Sequence, residues 1–317
     1  MFVAPAARVK GSAIIAAILL IICCWLLFVN TAEPWGKAQN TAPRDWRSSA
    51  KKPPVELVVA SVKKENTSWM HHFFPGWTRS VYEVDNYSAS LTVPANKGHE
   101  AMVYLTHIVA NYDTLADVTV FIHGSRFSWH NDDPDYDNLP TLRRLNLSHV
   151  RAVGYANLRC VWTIGCPVEI RPFERIADEK ERAKGALHDG KPLRTAHIFE
   201  HAFRELMPDI KVPHEVGVSC CAQFAVSRDA IRSRPKADYV RWREWLLKTP
   251  LSDDFSGRVL EYMWHIIFGK EAVFCPPPSQ CYCDLYGLCD LKCGTRTCEG
   301  RGTKKLYRPI VSVNPRQ

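Results

Sequence analysis

The sequence predicts an α/β fold: an open, mostly parallel sheet flanked by helices, with a cysteine-rich C-terminal appendage and an N-terminal transmembrane helix. Three observations predict it. Between Glu56 and Ile122 a short β-rich run, a helical pattern and a stronger β-rich run follow one another with short links, the alternation that builds parallel sheets. Hydrophobic residues make up 46% of the chain and charged residues 23%, the composition of a protein that buries a sizeable core. Residues 12–29 carry no charge, and about 18 such residues is the lower edge of a bilayer-spanning helix.

The N-terminus sets the topology. Arg8 and Lys10 precede the apolar run with no acidic residue beside them, so the positive-inside bias predicts a cytoplasmic tail (1–11), a signal anchor (12–30) and single-pass type II insertion. A cleaved signal peptide is the alternative, but the run exceeds the usual apolar region of a signal and lacks a small-x-small cleavage site. Cys23 and Cys24 inside it read as apolar filler or as palmitoylation sites. Residues 31–54 hold Pro34, Gly36, Pro43, Pro53 and Pro54 without an apolar period, which predicts a stem.

This order predicts a luminal α/β domain over 55–270 and a cysteine-rich segment over 271–317, in the Golgi or another secretory compartment. There the sequons at Asn66, Asn86 and Asn146 would accept glycans. Of twelve cysteines two lie in the anchor; the ten others are Cys160, Cys166, Cys220, Cys221, Cys275, Cys281, Cys283, Cys289, Cys293 and Cys298. An even number on an oxidising side reads as disulfides. The last six lack the paired C-x2-C knuckles of zinc sites and sit beside Pro276, Pro277 and Pro278, so that segment is expected to be stapled rather than to build its own core.

Within the domain, Glu56–Ala60 reads as a buried first strand and Arg79–Val84 as a weaker second. Met102, Leu105, Val109 and Tyr112 fall on one helical face after Gly98, His99 and Glu100, and Asp117–Ile122 is a strong strand closed by His123 and Gly124. The polar, aromatic and acidic stretch 125–140 is a loop at the carboxyl end of that strand, where open α/β sheets place ligands. Helices are predicted around 173–187 and 195–206, a strand at 222–226, and closing helices at 235–247 and 253–268.

The formal charge of +8 forms no basic stripe interleaved with aromatics, which argues against a nucleic-acid partner and suits an anionic substrate such as a sugar nucleotide. Neither glycine-rich phosphate loop appears, nor G-x-S-x-G, nor H-E-x-x-H, which excludes the common kinases, dinucleotide oxidoreductases, serine esterases and zinc proteases. The loop crowds His130, Asp132, Asp133, Asp135 and Asp137 together. Asp133, Asp135 and His130 read either as ligands of Mn2+ or Mg2+ or as a solvated turn with Asx caps. Trp129 beside them offers a ring to a substrate. Glu261 and His265 stand four apart in the last predicted helix, as a base with its partner or as a satisfied core pair. His123 lies at the strand end beside the loop as a further catalytic candidate. Glu100 reads as a substrate contact or a first-turn carboxylate, and Arg228 as an anion clamp or a structural arginine.

The segments VELVVASVKKENTSW, NKGHEAMVYLTHIVANYDTLADVTVFIHG, SCCAQFAVSRDAIRSRP and LEYMWHIIFG resemble an uncharacterised fungal domain-of-unknown-function family, over roughly Val55 to Cys289. A looser similarity, in anchor, stem, luminal cysteines and the FAVSR run, is to glycosyltransferases of the A-type fold. In those enzymes a D-x-D ends a central strand, whereas here His123-Gly124 holds that position. The likeness implies a nucleotide sugar, a glycan acceptor and a divalent cation, with Asp133 and Asp135 matching the metal motif and Glu261 the late catalytic carboxylate. A non-catalytic luminal or cell-surface binding protein and a metal-dependent hydrolase are the other readings.

Overall fold

The computed structural model describes residues 54–174 and 195–301, which belong to one compact unit. The predicted tail, transmembrane segment and stem up to residue 53, and most of the predicted helix 173–187, lie outside the described residues. Among the described residues no helix is long and apolar enough to cross a membrane.

The strands in chain order are β1 (Val55–Ser61), β2 (Thr78–Glu83), β3 (Val118–His123), β4 (Tyr155–Asn157), β5 (Gly217–Val218), β6 (Phe224–Ser227) and β7 (Val273–Phe274). The central sheet runs β2-β1-β3-β6-β4, and β5 pairs with β7 in a small second sheet. Strand β1 lies parallel to β2 and β3, while β6 is antiparallel to β3 and to β4. Four of the five strands therefore point one way, and the sheet is mostly parallel with one reversed strand. The reversal puts the start of β6 beside the ends of β3 and β4, so the 219–223 turn meets the carboxyl edge of the sheet.

The helices are α1 (Ser68–Phe73), α2 (Glu100–Asn111), α3 (Asn138–Arg144), α4 (Leu147–Val153), α5 (Thr195–Leu206), α6 (Arg228–Arg232), α7 (Lys236–Lys248), α8 (Asp253–Glu261), α9 (Trp264–Ile267) and α10 (Pro278–Tyr286). Side chains alternate across a strand. Val58 and Phe121 face one core, packed with Met102 and Leu105 of α2, Phe203 of α5, Trp242 of α7 and Leu260 of α8. Leu57, Val59, Val120 and Ile122 face the other, with Met70, Leu142, Val150, Tyr282 and Leu285. Helices on both faces explain why β1 is apolar almost throughout rather than alternating.

Two features differ from the sequence-based expectation. The helix predicted over 253–268 is broken after Glu261, and α9 starts at Trp264. The cysteine-rich segment supplies a real element, α10, whose Tyr282, Leu285 and Tyr286 are buried. The cysteines pair as Cys160–Cys281, Cys166–Cys275, Cys220–Cys221, Cys283–Cys289 and Cys293–Cys298. The first two fasten the C-terminal segment to the α/β domain, and the last two close small loops within it.

Candidate functional site

Glu100, His123, His130 and Glu261 converge at the carboxyl edge of the sheet, beside the 219–223 turn. Glu100 is the first residue of α2 and follows a tight entry in which Gly98 (φ 67°) and His99 (φ 52°) both lie in the left-handed region. A Cβ at Gly98 would meet the Leu246 side chain at 2.5 Å, and one at Gly257 would meet His99 at 2.8 Å and the Gly98 carbonyl at 3.1 Å. The absent side chain at Gly257 lets α8 lie against this entry. Glu261, one helical turn further on the same face of α8, is thereby carried toward Glu100.

The 219–223 turn holds Glu261 in place. Adjacent Cys220 and Cys221 are joined by a disulfide, and Cys221 (φ 90°) and Ala222 (φ 48°) take left-handed backbone without being glycine. Such residues cost about 1–3 kcal/mol each and gather at functional sites. The Cys221 N–H donates to Glu261 Oε1 at 2.6 Å. Burial raises the Glu261 pKa against that bond. Burial, and then the charge of Glu261, push the Glu100 carboxyl up to about 8. One carboxyl of the two therefore keeps its proton at neutral pH.

His123, at the end of β3, has Nε2 3.8 Å from Glu100 Oε2 and without a hydrogen-bond partner among the described residues. Burial, then His130 and His99, lower its pKa to about 3, so the ring is neutral. The His130 ring meets it edge-on at 4.8 Å. Burial, and then the Arg159 guanidinium, bring His130 down to about 4; its Nδ1 faces the Ser128 hydroxyl at 2.9 Å. Trp129 packs tilted against His130 at 4.1 Å, lies under the Arg159 guanidinium at 5.8 Å and is 48% exposed. An exposed ring beside two carboxyls and two neutral imidazoles is a surface on which a sugar or a base can stack.

The acidic loop is ordered by its own polar groups. Buried Gln223 accepts from the His123 N–H at 3.1 Å and donates to Asn131 Oδ1 at 3.0 Å, which clamps the loop to β3. Asp132 accepts from the Cys160 N–H and the Tyr282 hydroxyl at 2.7 Å. Asp133 Oδ1 accepts from the Asp135 N–H at 3.0 Å, and Oδ2 lies 3.9 Å from Arg301. Asp135 is exposed, and Asp137 pairs with Arg126 in bidentate fashion and caps α3. Among the described residues no three His, Cys, Asp or Glu side chains are grouped to hold a metal ion. In this arrangement Asp133 and Asp135 form an Asx turn, and the His130 imidazole packs on His123.

The structure places two other sequence-derived candidates elsewhere. Arg228 Nε donates to the Leu115 carbonyl at 2.9 Å and its guanidinium pairs with Asp117, at the opposite end of β3 from His123. His265 is buried in α9 with Nε2 2.9 Å from the Ala272 carbonyl, and burial lowers its pKa to about 4; the break after Glu261 separates the predicted i, i+4 pair. Arg159, Gln223 and the Cys220–Cys221 turn were not legible as parts of a site. Only the adjacent cysteines carried a signal, since neighbours this close constrain the chain if they bond.

The three sequon asparagines lie in surface turns. Asn66 and Asn86 accept from the hydroxyls of Ser68 and Ser88, while Asn146 caps α4 and donates to the Asp284 carbonyl at 3.0 Å. No curated protein and no solved structure matches this chain. A family model matches residues 57–284, in agreement with the resemblance read from the four segments, and the chain belongs to the family described as Protein of unknown function (DUF3431).

Proposed function

We propose that this chain is a secretory-pathway, glycosyltransferase-like enzyme that uses the Glu100–Glu261 pair for acid–base chemistry on a nucleotide sugar and a hydroxyl-bearing glycan acceptor. The observation that carries the reading is the coupling of two half-buried carboxyls, with Glu100 held up to about 8 by burial and by Glu261. Groups whose environments push their pKa values apart divide into acid and base. The ionised member takes the proton of the acceptor hydroxyl as its oxygen bonds to the anomeric carbon, and the nucleoside diphosphate leaves. The protonated member and the neutral His123 ring offer hydrogen bonds to substrate hydroxyls or to the departing oxygen. Trp129 offers a face to the sugar or the base.

The same reading places the protein in the membrane through residues 12–30, type II, with the C-terminal domain in the lumen of the Golgi or another secretory compartment. Five disulfides among the ten cysteines after the anchor support an oxidising compartment. Sequons in surface turns support glycosylation at Asn66, Asn86 and Asn146.

The experiment is turnover by the full-length protein of a panel of nucleotide sugars with glycan acceptors, followed as released nucleoside diphosphate. One donor should be consumed, and Glu261→Gln should lower kcat by about 10²- to 10⁴-fold, the usual size of a general acid–base contribution. Consumption of no donor, together with an unmoved unfolding temperature, would favour a luminal binding protein instead.

A further inference from the structure

A cavity of about 190 Å³ lies beside the edge strand β4, bounded by α4, the 270–276 segment and α10. Tyr155, Phe274, Arg159, Lys270, Gln280 and Asp284 are among the residues that line it. Neither Glu100 nor Glu261 lines it, so a ligand bound there does not touch the carboxyl pair.

Arg159 is the anomaly. It is 8% exposed, and among the described residues its guanidinium donates to the Trp129 carbonyl, the Cys221 sulfur and the Thr163 hydroxyl, and to no carboxylate. Among the described residues its Nε–H is buried without an acceptor. Asp132 acts on it at longer range, but both Asp132 oxygens are held by the Cys160 N–H and the Tyr282 hydroxyl. A buried, unpaired arginine is costly, and an unmet donor on it adds to the cost. The second cation of the cavity, Lys270, gives one of its three N–H groups to the Val153 carbonyl and lies 5.3 Å over the Phe274 ring, and among the described residues it meets no carboxylate within ion-pair distance. Two cations against the single carboxylate of Asp284 leave a charge of one sign to be met.

We propose that this cavity binds a small polyhydroxylated molecule bearing one anionic group, a carboxylate or a phosphate. The anionic group sits against Arg159 and Lys270, the two cations of the lining, whose N–H donors match its oxygens. The ring or chain of the ligand lies against Phe274, and its hydroxyls donate to Asp284 and pair with Gln280. Since Arg159 also holds the Trp129 carbonyl, occupancy is linked to the position of that exposed ring.

The test is calorimetric titration of the full-length protein with glucuronate, glucose 6-phosphate, inorganic phosphate and uncharged glucose. Binding of glucuronate or glucose 6-phosphate, with glucose silent, is expected; the arm that binds tells carboxylate from phosphate. Arg159→Gln should weaken that ligand roughly ten- to a hundredfold, the range for a lost charge-assisted hydrogen bond. Gln280→Trp, at an exposed position of α10, should block the cavity while leaving the guanidinium contacts intact, which covers the case of a misfolded Arg159 variant. Glu100→Gln should bind as the wild type does. Silence with every anion, equal binding of glucose, or binding untouched by Gln280→Trp would overturn the proposal.

Discussion

At the scale of single residues, the chemistry turns on where protons sit. Glu100 titrates at about 8 in the folded chain against an ordinary value of 4.5, because folding favours its protonated form. The sign follows: that stabilisation is complete below the unfolded value and is lost as pH rises through about 8. Glu100→Gln carries no charge to lose. Its melting temperature should gain on the wild type between pH 5 and pH 9, by an amount on the order of a few kcal/mol in stability, and melts across that range check it. The candidate residues were partly legible. Glu100, His123, His130, Trp129 and Glu261 stand out as polar or aromatic groups at element ends, where ligands gather in α/β folds. Arg228 and Asp133 have the same chemistry in sequence, yet the first is tied to Asp117 and the second to its own turn. Only tertiary partners distinguish the two sets.

At the scale of elements, the approach of α8 to the entry of α2 brings the two carboxyls together. Gly257→Ala would push a methyl group onto the Gly98 carbonyl at 3.1 Å, which backbone cannot yield as a side chain can. A loss of about 1–3 kcal/mol is expected from such overpacking, measured by denaturant unfolding, with the proposed turnover falling more than stability alone explains. The disulfides divide in the same way. Cys160–Cys281 and Cys166–Cys275 close spans of 121 and 109 residues, whereas Cys293–Cys298 spans 5. Replacing Cys160 and Cys281 together by alanine should cost about 2–5 kcal/mol, and replacing Cys293 and Cys298 distinctly less. β1, β3 and α2 were readable because each shows a clean period or an unbroken apolar run. β4, at three residues, and α10, inside a proline- and cysteine-rich stretch, were not. Tertiary contacts and cross-links, not propensity, hold them.

At the scale of the whole molecule, a mostly parallel sheet between two helical layers leaves one edge free for chemistry, and the reversed β6 delivers a rigid turn to that edge. The strand-helix-strand order in sequence foretold the sheet, but not the reversed strand, since direction depends on which edge the chain returns to. The acidic loop foretold a polar edge, but its carboxylates order the loop while the coupled carboxyls come from α2 and α8. The central claim, that Glu100 and Glu261 form one coupled acid–base pair, is tested most directly by ¹³C NMR titration of the glutamate carboxyls in the wild type, Glu100→Gln and Glu261→Gln. One resonance should titrate near 8, be absent in Glu100→Gln and move to lower pH in Glu261→Gln, where the neighbouring charge is gone. A spectrum in which every glutamate titrates in the ordinary range near 4.5, or one in which the raised value ignores the loss of Glu261, would contradict it.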